Sequence, residues 1–129
     1  MKANSAKRLM IVDDHPETRR ALRELLAPMV SEICECTSGE DALEHSAWFE
    51  PDFVTMDYQM EKMTGVEAAR QLRTRFPKAV IVIVTANDSA VLRREAIRAE
   101  ADSFITKDNM GMLRELFSKH VKSGGNDHA

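Results

Sequence analysis

The stretch LMIVDDHPETRRALRELLAPM, residues 9–29, changes its hydrophobic period partway along. Leu9 to Val12 form an uninterrupted apolar run, as expected of a strand covered on both faces. After two aspartates, Pro16 suits a first helical turn, and Leu22, Leu25, Leu26 and Met29 keep the i, i+3, i+4, i+7 spacing of one apolar helix stripe. A buried strand that runs into an amphipathic helix is the building unit of α/β proteins with a parallel sheet. Two like charges at the mouth of such a strand, Asp13 and Asp14, then need a physical reason.

The same pattern recurs along the chain. Strands are predicted over Leu9 to Asp13, Ile33 to Cys36, Phe53 to Asp57, Val80 to Thr85 and Ser103 to Thr106, the second more polar and suited to an edge. A helix follows each. Ser38 or Asp41 can cap the second, Thr64 the third, Asp88 or Ser89 the fourth and Asp108 or Asn109 the fifth, whose apolar stripe is Met110, Leu113, Phe117 and Val121. Five β/α units joined by right-handed crossovers predict a doubly wound five-stranded parallel sheet, strand order 2-1-3-4-5, of flavodoxin-like topology. The domain is expected over residues 8–122, with a short extension at 1–7 and a disordered tail at 123–129, SGGNDHA.

Composition narrows the function. The chain has 129 residues, enough for one domain, and 18 basic against 21 acidic residues give a net charge of −3, so nothing draws the whole surface to nucleic acid or an anionic membrane. The longest apolar run, Ala79 to Val84, is far too short to span a bilayer, and Met1 to Arg8 is polar, so a cytoplasmic location is expected. Arg70, Arg73 and Arg75 read as the solvated face of the third helix rather than a DNA surface. Cys34 and Cys36 share one face of a strand at a spacing poorly suited to a disulfide, and with no further clustered Cys or His nearby in sequence they read as packing residues.

In an open sheet of this order, ligands bind beyond the carboxyl ends of the strands, at the switch point between strands one and three. The residues expected there are Asp13, Asp14, Asp57, Thr85 and Lys107. Taken singly, an aspartate at a strand end caps a helix, a threonine ends a strand and a lysine is solvated. Capping does not require five complementary groups at the same end of four strands. Three carboxylates against one ammonium call for raised carboxyl pKa values or a hard cation, and a small acidic cluster suits Mg²⁺. Asp57 is then placed to attack a phosphoryl group in line, with the cation and Lys107 screening its oxygens.

At this point the sequence resembles the receiver domain of two-component response regulators. The resemblance rests on "VDD" at Val12 to Asp14, "DYQMEKMTG" from Asp57 to Gly65, "VTA" at Val84 to Ala86 and "FITK" from Phe104 to Lys107, and it covers about Arg8 to Val121. It implies that Asp57 accepts a phosphoryl group from a sensor histidine kinase or a histidine phosphotransfer protein. It implies Mg²⁺ held by Asp14 and Asp57 directly, by Asp13 through water and by the backbone carbonyl of Gln59. Lys107 would pair with the phosphoryl oxygens, and the Thr85 hydroxyl would swing onto them. Phe104 would then rotate inward and alter the face made by the fourth helix, fifth strand and fifth helix, which would meet a downstream protein or a second copy. Such a domain is a phospho-acceptor switch, not a separate enzyme, and by itself contacts neither membrane nor nucleic acid.

Some positions depart from that pattern. Glu61 and Asp108 stand where proline is common, and Glu100 stands where glycine is common, so either Glu100 takes a left-handed conformation or the turn between the fourth helix and the fifth strand differs. Neutral amides at Gln59 and Asn87 imply neither unusually fast nor slow phosphoryl loss. The "DDHP" loop resembles receivers joined to a LuxR-type DNA-binding domain, so a fragment of such a regulator and a phosphorelay intermediate both stay open, and His15 reads as a solvated helix-entry residue. An aspartyl-phosphate phosphatase would need an acid–base aspartate where Gln59 stands. A flavodoxin-like cofactor carrier would need a hydroxyl- and glycine-rich loop where the two aspartates stand.

Overall fold

A computed structural model describes residues 7–60 and 63–126, with backbone alone from 121 onward. Five strands, β1 (Arg8–Val12), β2 (Glu32–Cys36), β3 (Phe53–Asp57), β4 (Val80–Thr85) and β5 (Ser103–Thr106), alternate with α1 (Pro16–Leu26), α2 (Gly39–Phe49), α3 (Gly65–Arg75), α4 (Ala90–Arg98) and α5 (Met112–Asn126). All pairings are parallel and the order is β2-β1-β3-β4-β5, as the sequence predicts. Period-two alternation divides the core between the two faces. Met10, Val12, Ile81 and Ile83 meet Ala42, Phe49, Val66, Ala69 and Leu72 from α2 and α3. Leu9, Ile11, Val80 and Val82 meet Leu22 and Leu26 of α1 and Leu113 and Phe117 of α5. Phe117 stacks on Phe53 with ring centroids 4.3 Å apart.

Local signals explain most boundaries. Ser38, Thr64 and Ser89 each accept a backbone N–H from the first turn of α2, α3 and α4. The fifth helix differs from expectation: Asp108 and Asn109 lie in a 3₁₀ turn over Lys107–Asn109, and α5 starts only at Met112. The hydroxyl of Thr106 donates to Asp108, which turns that carboxylate back toward β5 and away from capping. β1 ends at Val12, one residue before Asp13, although the Asp13 N–H still reaches the Cys36 carbonyl at 3.0 Å. The helical backbone of α5 is described through Asn126; residues 1–6, 61–62 and 127–129, and with them the expectation at Glu61 and the end of the expected tail, lie outside the described residues.

The end of the sheet away from the aspartate pair is fastened by two other aspartates. Asp52, just before β3, accepts the Arg8 N–H at 2.9 Å through its carboxylate. Asp102, just before β5, accepts the Ile81 N–H at 2.8 Å. Arg73 braces the same end, reaching the carbonyls of Glu100 at 3.0 Å, Pro77 at 2.9 Å and Ala79 at 2.7 Å, and Asp102 at 2.7 Å. Arg75 likewise reaches the Leu43 carbonyl and the Ser46 hydroxyl of α2. The expected solvated arginine face of α3 is therefore corrected at Arg73, whose guanidinium finds carbonyls at the helix and strand ends, whereas Arg70 and Arg75 remain exposed as expected. Glu100 has φ 62°, the left-handed one of the two alternatives, and Glu50 after α2 is left-handed too at φ 54°.

Candidate functional site

β1 and β3 lie side by side, so the ends of both strands open at one place. Asp13 and Asp57 are both buried there, at 1% and 4% exposure, whereas Asp14 faces solvent. Lys107 enters from the 3₁₀ turn after β5 and places its Nζ 3.1 Å from Asp13 Oδ2 and 3.7 Å from Asp57 Oδ1. The second carboxylate oxygen of Asp57 is buried with no hydrogen-bond partner. Such an oxygen costs free energy unless something binds it. Burial, reinforced by the charge on Asp13 and opposed by Lys107, pushes the Asp57 carboxyl up to about 6.

The loop after β3 explains the glycine in the Asp57–Gly65 stretch. Gly65 N donates to the Tyr58 carbonyl at 2.8 Å, closing the loop. A Cβ on Gly65 would fall 1.9 Å from the Asp57 carbonyl oxygen, so only glycine lets α3 start this close to the end of β3. Gln59 is exposed on this loop. Thr85, at the end of β4, is buried, and its Oγ1 accepts the Asn87 N–H at 3.3 Å. Phe104, on β5, packs against the α2–α3–α4 face, with the Arg93 guanidinium 4.8 Å above its ring and Arg93 tied to Asp88 at 2.8 Å.

The structure thus brings Asp13, Asp14, Asp57 and Lys107 together, with Thr85 at the adjoining strand end. It also assigns His15 to this cluster. His15 is the exposed helix-entry residue expected, but its Nδ1 also stands 3.0 Å from both Asp13 Oδ1 and Asp14 Oδ1, and the hydrogen bond it makes to Asp13 raises its pKa. The backbone turn that makes this possible, with His15 N donating to Asp13 Oδ1 at 2.8 Å, leaves no periodic trace in the sequence. Tyr58 also went unnoticed; its hydroxyl donates to Glu95 at 3.1 Å and joins the β3–α3 loop to α4.

A hard divalent cation fits these residues. Donor atoms of Asp13, Asp14, His15 and Asp57 all lie within 4.8 Å of one another, the oxygen donors dominate, and one buried Asp57 oxygen lacks a partner. A small anion fits only beside that cation and Lys107, because the carboxylates alone would repel it.

Comparison with known proteins agrees with this geometry. Residues 9–118 match the response regulator receiver domain family. The chain is 35% identical over 102 residues to the chemotaxis protein CheY of Thermotoga maritima, covering 78% of this chain and 85% of that protein. It is 31% identical over 127 residues to a protein-glutamate methylesterase/protein-glutamine glutaminase of Pseudomonas syringae pv. syringae, covering 92% of this chain but only 33% of that longer protein. The fold superposes on a LuxR-family two-component response regulator from Aurantimonas sp. SI85-9A1 with TM-score 0.82 and 28% identity, covering 92% of this chain and 87% of that one.

Proposed function

The chain belongs to the response regulator receiver family of two-component systems, and we propose that Asp57 is its phosphoryl acceptor. The observation that carries this assignment is the buried, unpartnered Asp57 oxygen at the switch point, with the Lys107 ammonium 3.7 Å from the other oxygen of the same carboxylate. That oxygen attacks phosphorus in line, the bond from phosphorus to the donor's imidazole nitrogen breaks, and the nitrogen leaves with the electron pair. Lys107 stabilises the charge on the transferred oxygens. Receiver domains generally bind Mg²⁺ at an acidic pocket; here Asp13, Asp14, Asp57 and the Gln59 carbonyl would hold it, and when bound it neutralises the carboxylates and the incoming group.

The donor is a sensor histidine kinase or a histidine phosphotransfer protein, the partners that receiver domains use. Once Asp57 is modified, the Thr85 hydroxyl leaves the Asn87 N–H for a phosphoryl oxygen, and Phe104 fills the space vacated. The exposed Val91 and Met112 lie on the face this remodels and meet the downstream protein or a second copy. We take residues 8–122 as the receiver body, acting in the cytoplasm as a switch with no activity beyond its own phosphorylation and dephosphorylation. Among the described residues no helix is long and apolar enough to cross a membrane. The structural likeness to a LuxR-family regulator supports a second reading, in which this receiver controls an attached DNA-binding domain.

The test is intact-mass spectrometry after incubation with acetyl phosphate, with and without Mg²⁺. One phosphoryl adduct that needs Mg²⁺ and is absent from Asp57→Asn is expected. An unmodified chain in the presence of Mg²⁺, or an equal adduct on Asp57→Asn, refutes the assignment.

A further inference from the structure

A second group of metal-ligating side chains lies on the opposite side of β1 from β3, between edge strand β2 and the first turns of α2. Donor atoms of Cys36, Asp41 and His45 lie within 4.8 Å of one another, and Cys34 Sγ lies 3.9 Å from Cys36 Sγ. We propose that Cys34, Cys36, Asp41 and His45 form a binding site for a zinc-class divalent cation that ties the edge strand to α2.

Four observations support it. Both cysteines are free and their sulfurs are too far apart for a disulfide, but two thiolates bound to one tetrahedral zinc at about 2.3 Å stand roughly 3.8 Å apart. Asp41 and His45 are four residues apart on α2, hence on one helix face, with Asp41 Oδ1 already 3.0 Å from His45 Nδ1. Groups around the donors fix them: the other Asp41 oxygen accepts the Thr37 N–H at 3.1 Å, and the Asp41 carbonyl, 2.8 Å from His45 Nδ1, holds the ring by that nitrogen and leaves Nε2 for the cation. The sulfurs are buried while Asp41 and His45 are partly exposed, which leaves a path for entry.

The donor set selects the ion. Two sulfurs, one imidazole and one carboxylate favour zinc over magnesium or calcium, and four protein ligands leave no position for a substrate, so the site is structural. Each thiol gives its proton to solvent as the cation binds. The sequence alone hid the site because Cys-x-Cys had no neighbouring ligands until the β2–α2 turn folded Asp41 and His45 back onto it.

Cobalt(II) is the probe, titrated into the reduced full chain with excess Mg²⁺ to occupy the acidic pocket. One equivalent should give a thiolate-to-cobalt charge-transfer band and strong tetrahedral visible bands, removed by one equivalent of zinc. Trp48, the only tryptophan, has its ring 5.5 Å from that of His45, so its fluorescence should be quenched in step. Cys36→Ser and His45→Ala should each weaken binding at least about 100-fold, and Asp57→Asn should leave it unchanged. His45→Ala, on a partly exposed helix position, decides the matter if Cys36→Ser fails to fold. The absence of a charge-transfer band, its full retention in His45→Ala, or its loss in Asp57→Asn overturns the proposal.

Discussion

Replacing Asp57 with asparagine should stabilise the protein at neutral pH, and the gain should disappear in acid. The carboxyl is 4% exposed, and its pKa is pushed from an ordinary 3.8 to about 6, first by burial and then by the charge on Asp13. That interval corresponds to about 3 kcal/mol against the charged form. Between the two values the folded state holds more protons than the unfolded state, so stability falls as pH rises through this window. The cost is complete above about pH 6 and absent below the ordinary value. Asparagine is neutral throughout, so the difference between the chains reports Asp57 together with the groups its charge is coupled to, Asp13, Lys107, Asp14 and His15. Urea denaturation without Mg²⁺ should favour Asp57→Asn by roughly 2–3 kcal/mol near pH 7.5, and the gap should narrow to a few tenths near pH 4. Mg²⁺ at a hundred times its dissociation constant should then add about 2.7 kcal/mol to the natural chain and far less to the variant. A less stable variant at pH 7.5, or a gap that does not move with pH, would refute the assignment of strain to this carboxylate.

Replacing Lys107 with methionine removes the ammonium facing Asp13 and Asp57 and should slow phosphoryl acceptance by about 10²–10³, followed as the growth of the phosphorylated mass with time. Arg73→Ala should cost roughly 2–3 kcal/mol in urea, and Arg73→Lys should recover less than half, because a point charge cannot span three carbonyls and Asp102. Glu100→Gly should raise the melting temperature, with a gain of up to about 1 kcal/mol, by relieving φ 62°, whereas Glu100→Ala should give no such gain.

Strand order and the acidic site were legible because both follow from local pattern. Apolar runs at β1, β3 and β4 marked the buried strands, and the switch-point rule then gathered Asp13, Asp57, Thr85 and Lys107 without any contact being known. Residues whose meaning depends on a partner far along the chain were not legible. Arg73 looks like any other arginine on a helix until its guanidinium meets the turn at Glu100, 27 residues on. His15 is solvated at the helix entry as read, but nothing in the period of α1 shows that its ring also reaches back over two carboxylates. The start of α5 was misplaced because Asp108 and Asn109 have the chemistry of caps, but Asp108 is engaged by Thr106 instead.

Asp52 and Asp102 make the sheet mechanically asymmetric. Their carboxylates close the N–H groups where β1 and β4 begin, whereas at the opposite end of the sheet β1 runs into Asp13 and Asp14 and β3 ends in the unpartnered oxygen of Asp57. The molecule is thus built as a cantilever, with a clamped root and a loaded tip. A change of charge at the tip can flex the surrounding loops while the root keeps its register, so cooperative unfolding and signalling draw on different parts of one small sheet. Hydrogen exchange along β3 should show that gradient as slow amides near Phe53 and faster ones toward Asp57.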